Sequence, residues 1–267
     1  MKTLRNFSLE VSRLLQSRLT WLILLLTVIS PVAGLTLYKS ATAETMLSMY
    51  LANPAIAGGV VSGILFGLLT VYELDRFGRS RVDILMNAIV SPMRSALIRM
   101  LALIVTSLLG LFLTMLVWLP FTFALAGSVL DMTNYCLAYL LFMGLALPCS
   151  ILAAAACYQV TQRADLSIVL FAAFAALSLT IWSDNWQLCW LNPCVWALSD
   201  DFTNFRIFRS ALYMRLTWLA ALSGVWILSW CCIRQHGKGI LGSLLRSSRR
   251  VYRPVVAVLL IACSGAA

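Results

Sequence analysis

The chain has 267 residues, 61% of them hydrophobic and only 11% charged, and its mean hydropathy is +0.91. Soluble domains run at about 45–50% apolar and about 25% charged, and disordered chains are poorer still in apolar residues, so both classes are excluded. Yet 20 Lys+Arg against 10 Asp+Glu leave a formal net charge of +10. The placement of that surplus therefore decides how the chain is arranged.

Residues 1–19 read as an amphipathic helix. Leu4, Phe7, Val11, Leu14 and Leu15 recur at spacings that fall on one helix face, while Arg5, Ser8, Ser12, Arg13 and Gln16 fall mostly elsewhere. Such a helix lies in the headgroup plane, with arginines such as Arg13 and Arg18 reaching for phosphates. It is not read as a cleaved signal peptide. Its apolar region starts near residue 19 and runs too long, and Pro31-Val-Ala-Gly makes a poor cleavage site.

Residues 20–233 carry six apolar runs of the length that crosses a bilayer. They are Trp21–Tyr38, Ile56–Tyr72, Met100–Ala126, Tyr135–Cys157, Leu166–Ser183 and Leu212–Ile233. The expected fold is therefore an all-α polytopic membrane protein of six transmembrane helices with an N-terminal interfacial helix. The first five runs hold no Asp, Glu, Lys, Arg or His, and the sixth holds only Arg215, near one end. The third run is long and contains Pro120. Two readings stay open for it: a crossing to about Trp118 followed by a bent or re-entrant segment to about Gly127, or one long tilted helix. Pro148 is expected to kink the fourth span.

Segments 1–20, 73–99, 158–165 and 234–253 hold 16 of the 20 basic residues, and the opposite side holds Lys39, Arg206, Arg209 and Arg215. The acids divide evenly between the two sides. Short loops rich in Lys and Arg face the cytoplasm, so the N-terminus and the basic segment 234–253 are expected inside a cytoplasmic (inner) membrane. These charges flank spans and meet anionic headgroups. They do not line one face, so nucleic acid is not expected as a partner.

Much chemistry is missing. Proton- or ion-driven carriers need ionisable residues within their spans, and none stands there apart from Arg215. No span pairs a serine with a His or Lys base. No His/Asp/Glu cluster suggests a metal, and the single histidine, His236, reads as a loop residue. Gly237-Lys238 is followed by Gly239 and lacks the upstream glycine of a phosphate-binding loop. No catalytic residue and no cofactor is therefore assigned to this chain. The eight cysteines are dispersed; Cys189 and Cys194 share an outer loop where a disulfide is one reading.

The segment 73–99 reads Glu73-Leu-Asp75-Arg76-Phe-Gly78, continues through Asp83-Ile-Leu85 and Ile89, and ends in Ser91-Pro92-Met-Arg94. Val82, Leu85, Met86 and Ile89 recur at helical spacing, and Ser91-Pro92 stops that helix. A short amphipathic helix between two spans either docks a soluble partner or lies on the membrane. Beyond it, the outer loop 184–211 holds Trp186, Trp190 and Trp196, with Trp182 just before. Tryptophan concentrates at membrane interfaces, so these four read as an aromatic belt.

The sequence resembles the permease subunits of ATP-binding-cassette transporters of the ABC-2 exporter type. Phe7 through Arg13-Leu14-Leu15 to Arg18 looks like that family's elbow helix. Glu73, Gly78, Leu85 and Pro92-Met-Arg94 look like its coupling loop, and Asn192-Pro193-Cys-Val-Trp196 looks like its outer Asn-Pro stretch. The spacing from Gly78 to Pro92 is several residues longer than the family's pattern, and Arg99 stands where lysine is usual. The resemblance spans residues 1–233. It implies an exporter subunit that docks a separate ATPase through loop 73–99, with ATP and Mg on that ATPase. It also implies a second permease copy or homologue and an outer segment that dips into the membrane. The rival reading is a non-transporting membrane scaffold or assembly protein.

The last stretch, residues 254–267, is apolar but reaches only about 21 Å as a helix, against a hydrocarbon core of about 30 Å. Three readings stay open: part of a truncated seventh span, a segment dipping into the membrane, or a chance lipobox-like Leu260-Ile261-Ala262-Cys263.

Overall fold

The structure, a computed structural model, describes residues 2–41, 44–79, 92–183, 185, 188–193, 195, 197–231, 256, 258, 260 and 261. The helices in chain order are α1 (Lys2–Leu15), α2 (Arg18–Ile29), α3 (Val32–Thr36), α4 (Asn53–Arg79), α5 (Pro92–Ala126), α6 (Met132–Ala138), α7 (Ala146–Thr161), α8 (Ala164–Leu179) and α9 (Phe205–Cys231). Among the described residues there is no strand. Five helical stretches are long and apolar enough to cross a membrane: Arg18–Thr36, Ser48–Phe77, Met93–Val129, Met132–Thr161 and Phe205–Ser229. The chain is thus a helical, membrane-embedded protein.

The fifth expected span differs from the sequence reading. Its helix, α8, has 16 residues and stops at Leu179, short of a full crossing. The Thr180 hydroxyl donates to the Ala176 carbonyl, and Trp182 N–H donates to Leu177 in a wide final turn. Those bonds satisfy the helix end locally and let the chain turn before Ser183. The first span also departs from a single rod. Ser30-Pro31 splits it into α2 and α3, because proline removes a backbone donor and crowds the preceding turn. The Ser30 hydroxyl occupies the break, donating to Thr27 O at 2.7 Å and lying 3.3 Å from Gly58 O.

Proline acts differently in the other two spans. Helix α5 runs for 35 residues and continues past Trp118 and Pro120 as one element, in keeping with the long-helix reading. Trp118 instead pins α5 to α2, its Nε1 donating to Val28 O at 2.8 Å. In the fourth span the irregular stretch precedes Pro148. Residues Tyr139–Gly144 form a π-helical turn before α7 begins. Pro148 offers no N–H to the Gly144 carbonyl and its ring crowds that residue, so the turn upstream widens.

Helix α7 is the buried centre. Every residue from Ala146 to Ala156 is buried, and α4 packs along it. Three glycines spaced four apart on α4 allow the approach, as small residues do between membrane helices. A Cβ on Gly59 would sit 2.6 Å from Phe142 O. One on Gly63 would meet Ser150 Oγ at 2.6 Å, and one on Gly67 would meet the Phe171 ring at 2.2 Å. Helices α8 and α9 close around α7, α2 packs on α4, and α5 packs on α1, α2 and α7.

Gly59→Ala is therefore expected to destabilise the fold by about 1–3 kcal/mol, because backbone must shift. Gly110→Ala, whose new Cβ would meet side chains alone, the nearest being the tip of Leu24 at 3.1 Å, is expected to cost clearly less. Thermal melting in nanodiscs compares the two. Equal melting temperatures would remove close backbone approach as the determinant.

Candidate functional site

Helix α4 does not end where the apolar run ends. Tyr72-Glu73-Leu74-Asp75-Arg76-Phe77 contains no breaker, so the helix continues to Arg79. Glu73 therefore lies on a helix rather than in the loop that sequence assigned to it, and only 3% of its surface is exposed. A buried carboxylate needs a partner, and α1 supplies one. Arg13 Nη2 lies 2.7 Å from Glu73 Oε2, while Arg13 Nε donates to Glu10 Oε2 at 2.8 Å. Arg76 adds a looser contact, 3.9 Å from Glu73 Oε1.

Phe77, one turn beyond Glu73, completes the cluster. Arg99 of α5 stacks over its ring at 3.5 Å, and Arg13 approaches the same ring at 4.9 Å. Cations over an aromatic face are attracted to its quadrupole. Leu14, Leu74 and Leu103 wall the small pocket that these groups share. Burial opposes the charge on Arg13, but hydrogen bonds to Glu10 and Glu73, and the charges of both acids, outweigh it. The Arg13 pKa is raised above its ordinary value.

Three elements thus meet at one end of the bundle: α1, the last turns of α4 and the early turns of α5. They form a stem at the end of α4 and the start of α5. The expected docking residues Asp83, Leu85 and Ile89 lie outside the described residues. Gly78 is next to last in α4 and Pro92 opens α5, whereas Arg76 and Arg94 are exposed on the stem. On α1, Phe7 and Val11 are half-buried against the core, Leu14 is buried, and Arg18 stands exposed at the start of α2. The amphipathic face of α1 is therefore applied to the bundle, mainly to α5.

The other expected site residues lie near the opposite end. Trp190 is not part of a surface belt. It is fully buried, stacked on Phe174 at 4.8 Å, with its indole N–H donating to Phe174 O at 3.3 Å. Trp182 is half-buried and meets Phe174 edge-on. Trp186, Trp196 and Cys194 lie outside the described residues, so a bridge from Cys189 is not described. Cys189 is fully buried, with its Sγ 3.9 Å from Met214 Sδ.

The segment around Trp190 is tucked into the bundle. Leu191 N–H donates to Ser178 Oγ at 3.0 Å, and Leu198 N–H donates to Ser48 Oγ at 2.7 Å. Asp200 accepts from the N–H groups of Met46 and Leu47, both at 2.9 Å, and so caps the helical turn that leads into α4. Arg215, read from sequence as an outer-edge residue, is fully buried. It is a functional candidate that sequence reasoning undervalued. The signal was present: one arginine in an apolar run, in a chain whose other runs hold no charge.

No family model, no curated protein and no solved structure matches the chain. Among the described residues, no group of three or more His, Cys, Asp or Glu could hold a metal ion.

The Arg13–Glu73 pair is predicted to be energetically coupled. Arg13→Gln and Glu73→Gln are each expected to lower stability by about 1–3 kcal/mol, below the value for a fully dry pair because the Arg13 side chain is 31% exposed. The double variant should cost less than the sum by about 1 kcal/mol. Melting of the four proteins measures this, and strict additivity would mean that the contact carries no coupling.

Proposed function

We propose that the chain is the membrane-spanning permease subunit of an ATP-binding-cassette transporter of the ABC-2 exporter type. In this reading its N-terminus is cytoplasmic, α8 and its following turns supply a sixth crossing, and two permease copies or homologues line the path. A separate ATPase carries ATP and Mg and docks on residues 80–91. The protein itself hydrolyses nothing.

The observation that carries this reading is the ion-paired stem. A loop that receives force from a soluble motor needs a rigid base, or the motion dissipates in the loop. Glu73 pairs with Arg13, and Phe77 meets both Arg13 and Arg99, so α1, the end of α4 and the start of α5 are tied together. Energy must also come from somewhere. The six apolar runs contain no carboxylate or histidine to bind a coupling proton or ion, and the buried Glu73, near the end of the Ser48–Phe77 stretch, is held by Arg13, which favours an external motor over a gradient-driven carrier. The reading rests further on the sequence resemblance of Glu73, Gly78, Leu85 and Pro92-Met-Arg94 to the family's coupling loop.

The test is co-purification. An ABC ATPase is expected to elute with the chain at an equal molar ratio, and Leu85→Asp or Ile89→Asp should abolish that binding while the chain still inserts in the membrane. Binding that survives both substitutions would overturn the docking assignment. A stable complex with other membrane proteins and no ATPase would favour a scaffold role instead.

A further inference from the structure

Arg215 stands ten residues into α9, about 15 Å from its first turn, and is fully buried. Among the described residues it makes no ion pair. The carboxylate pairs all belong to the stem of α1 and α4. Instead its guanidinium binds backbone. Nη1 donates to Trp190 O, and Nη2 lies 2.9 Å from Phe142 O and 3.2 Å from Leu191 O. Its Nε has no partner among the described residues.

Those carbonyls come from two sources, both in irregular backbone. Phe142 belongs to the π-helical turn before Pro148, where the regular bonding pattern is shifted. Trp190 and Leu191 belong to the non-helical segment after α8, whose carbonyls have no helical partner. Irregular backbone in the apolar interior must be satisfied by protein, and the planar fork of an arginine can serve several carbonyls at once. Leu191 sits below this contact, and a Cβ on Gly63 would lie 3.0 Å from its Cδ1. Segment 189–192 therefore packs on α4 and α8, with Arg215 of α9 as the clasp.

A buried cation without an acid is costly, and what it holds must repay that cost. The arrangement also has a consequence for release. Parting Arg215 from carbonyls breaks no ion pair, and water can replace every bond lost. A carboxylate partner would instead lock the segment permanently.

We propose that Arg215 is a latch, a positioning residue that keeps segment 189–192 seated and this end of the bundle closed, and whose release admits water. In a transporter this segment would lift during the cycle, but the inference needs neither an ATPase nor a chosen membrane orientation.

The test uses the full chain in nanodiscs, in two single-cysteine backgrounds. One keeps Cys189, which is fully buried at the latch, and the other keeps Cys157, which lies near the far end of α7. The rate of labelling by a charged maleimide is read for the parent, Arg215→Gln and Arg215→Lys. Loss of the charge-assisted bonds should speed Cys189 labelling roughly ten- to a hundred-fold in the Gln variant, with the Cys157 rate unchanged. The Lys variant, which keeps the charge but not the fork, should fall between. Unchanged Cys189 labelling overturns the proposal, as does equal acceleration at both cysteines, which reports general loosening. If the Gln protein does not fold, the Lys protein is read by the same criterion. Failure of both to fold overturns the latch in favour of a purely structural arginine.

Discussion

The close approach of α4 to α7 is the contact on which the rest of the bundle depends. Lipid is as apolar as leucine, so membrane helices gain little by burying large side chains against one another; they gain by packing closely. Gly59, Gly63 and Gly67 give α4 a smooth edge that meets Phe142 of the π-helical turn, Ser150 of α7 and Phe171 of α8 in turn. With α4 and α7 in contact, each end of α4 becomes a fixed point. One end carries Glu73 and Phe77 to the stem. The other receives Asn53, whose side-chain oxygen accepts from the Ala41 N–H at 2.8 Å, and the turn capped by Asp200.

The two ends solve their polar problems in opposite ways. At the stem, charges pair with charges across α1 and α4, partly in contact with solvent, and the Phe77 ring draws in Arg13 and Arg99 of α5. At the other end, a lone cation binds carbonyls in a dry interior. The first arrangement resists separation of α1, α4 and α5. The second lets irregular backbone sit inside an apolar bundle, where protein must satisfy the backbone groups that lipid cannot.

Sequence pattern disclosed the helical class, the amphipathic character of α1 and the position of most spans, because apolar length and one-sided periodicity are local properties. It was less reliable wherever a proline met a neighbour. Pro31 divides a span, Pro120 is absorbed, and Pro148 widens the turn upstream, although all three follow the same local rule. What differs is what lies alongside. The Ser30 hydroxyl bridges the first break, Trp118 braces α5 near the second, and Arg215 takes up the Phe142 carbonyl near the third. The end of α8 at Leu179 was hidden too, because Thr180 to Ser183 continue the hydropathy while turning the chain.

The candidate site shows the same division. Composition and charge asymmetry alone determined that this is an apolar chain of several spans whose basic residues gather mostly in alternate segments between the apolar runs, since charge is costly among lipid. They also determined that the six apolar runs hold no acid and no histidine. Only the tertiary structure decided that Glu73 is buried against Arg13, sixty residues earlier in sequence, that Trp190 stacks inside the bundle, and that Arg215 holds backbone from two distant segments. Those pairings join residues that no local periodicity connects. A buried charge is satisfied by whatever the packing of helices brings within about 3 Å of it.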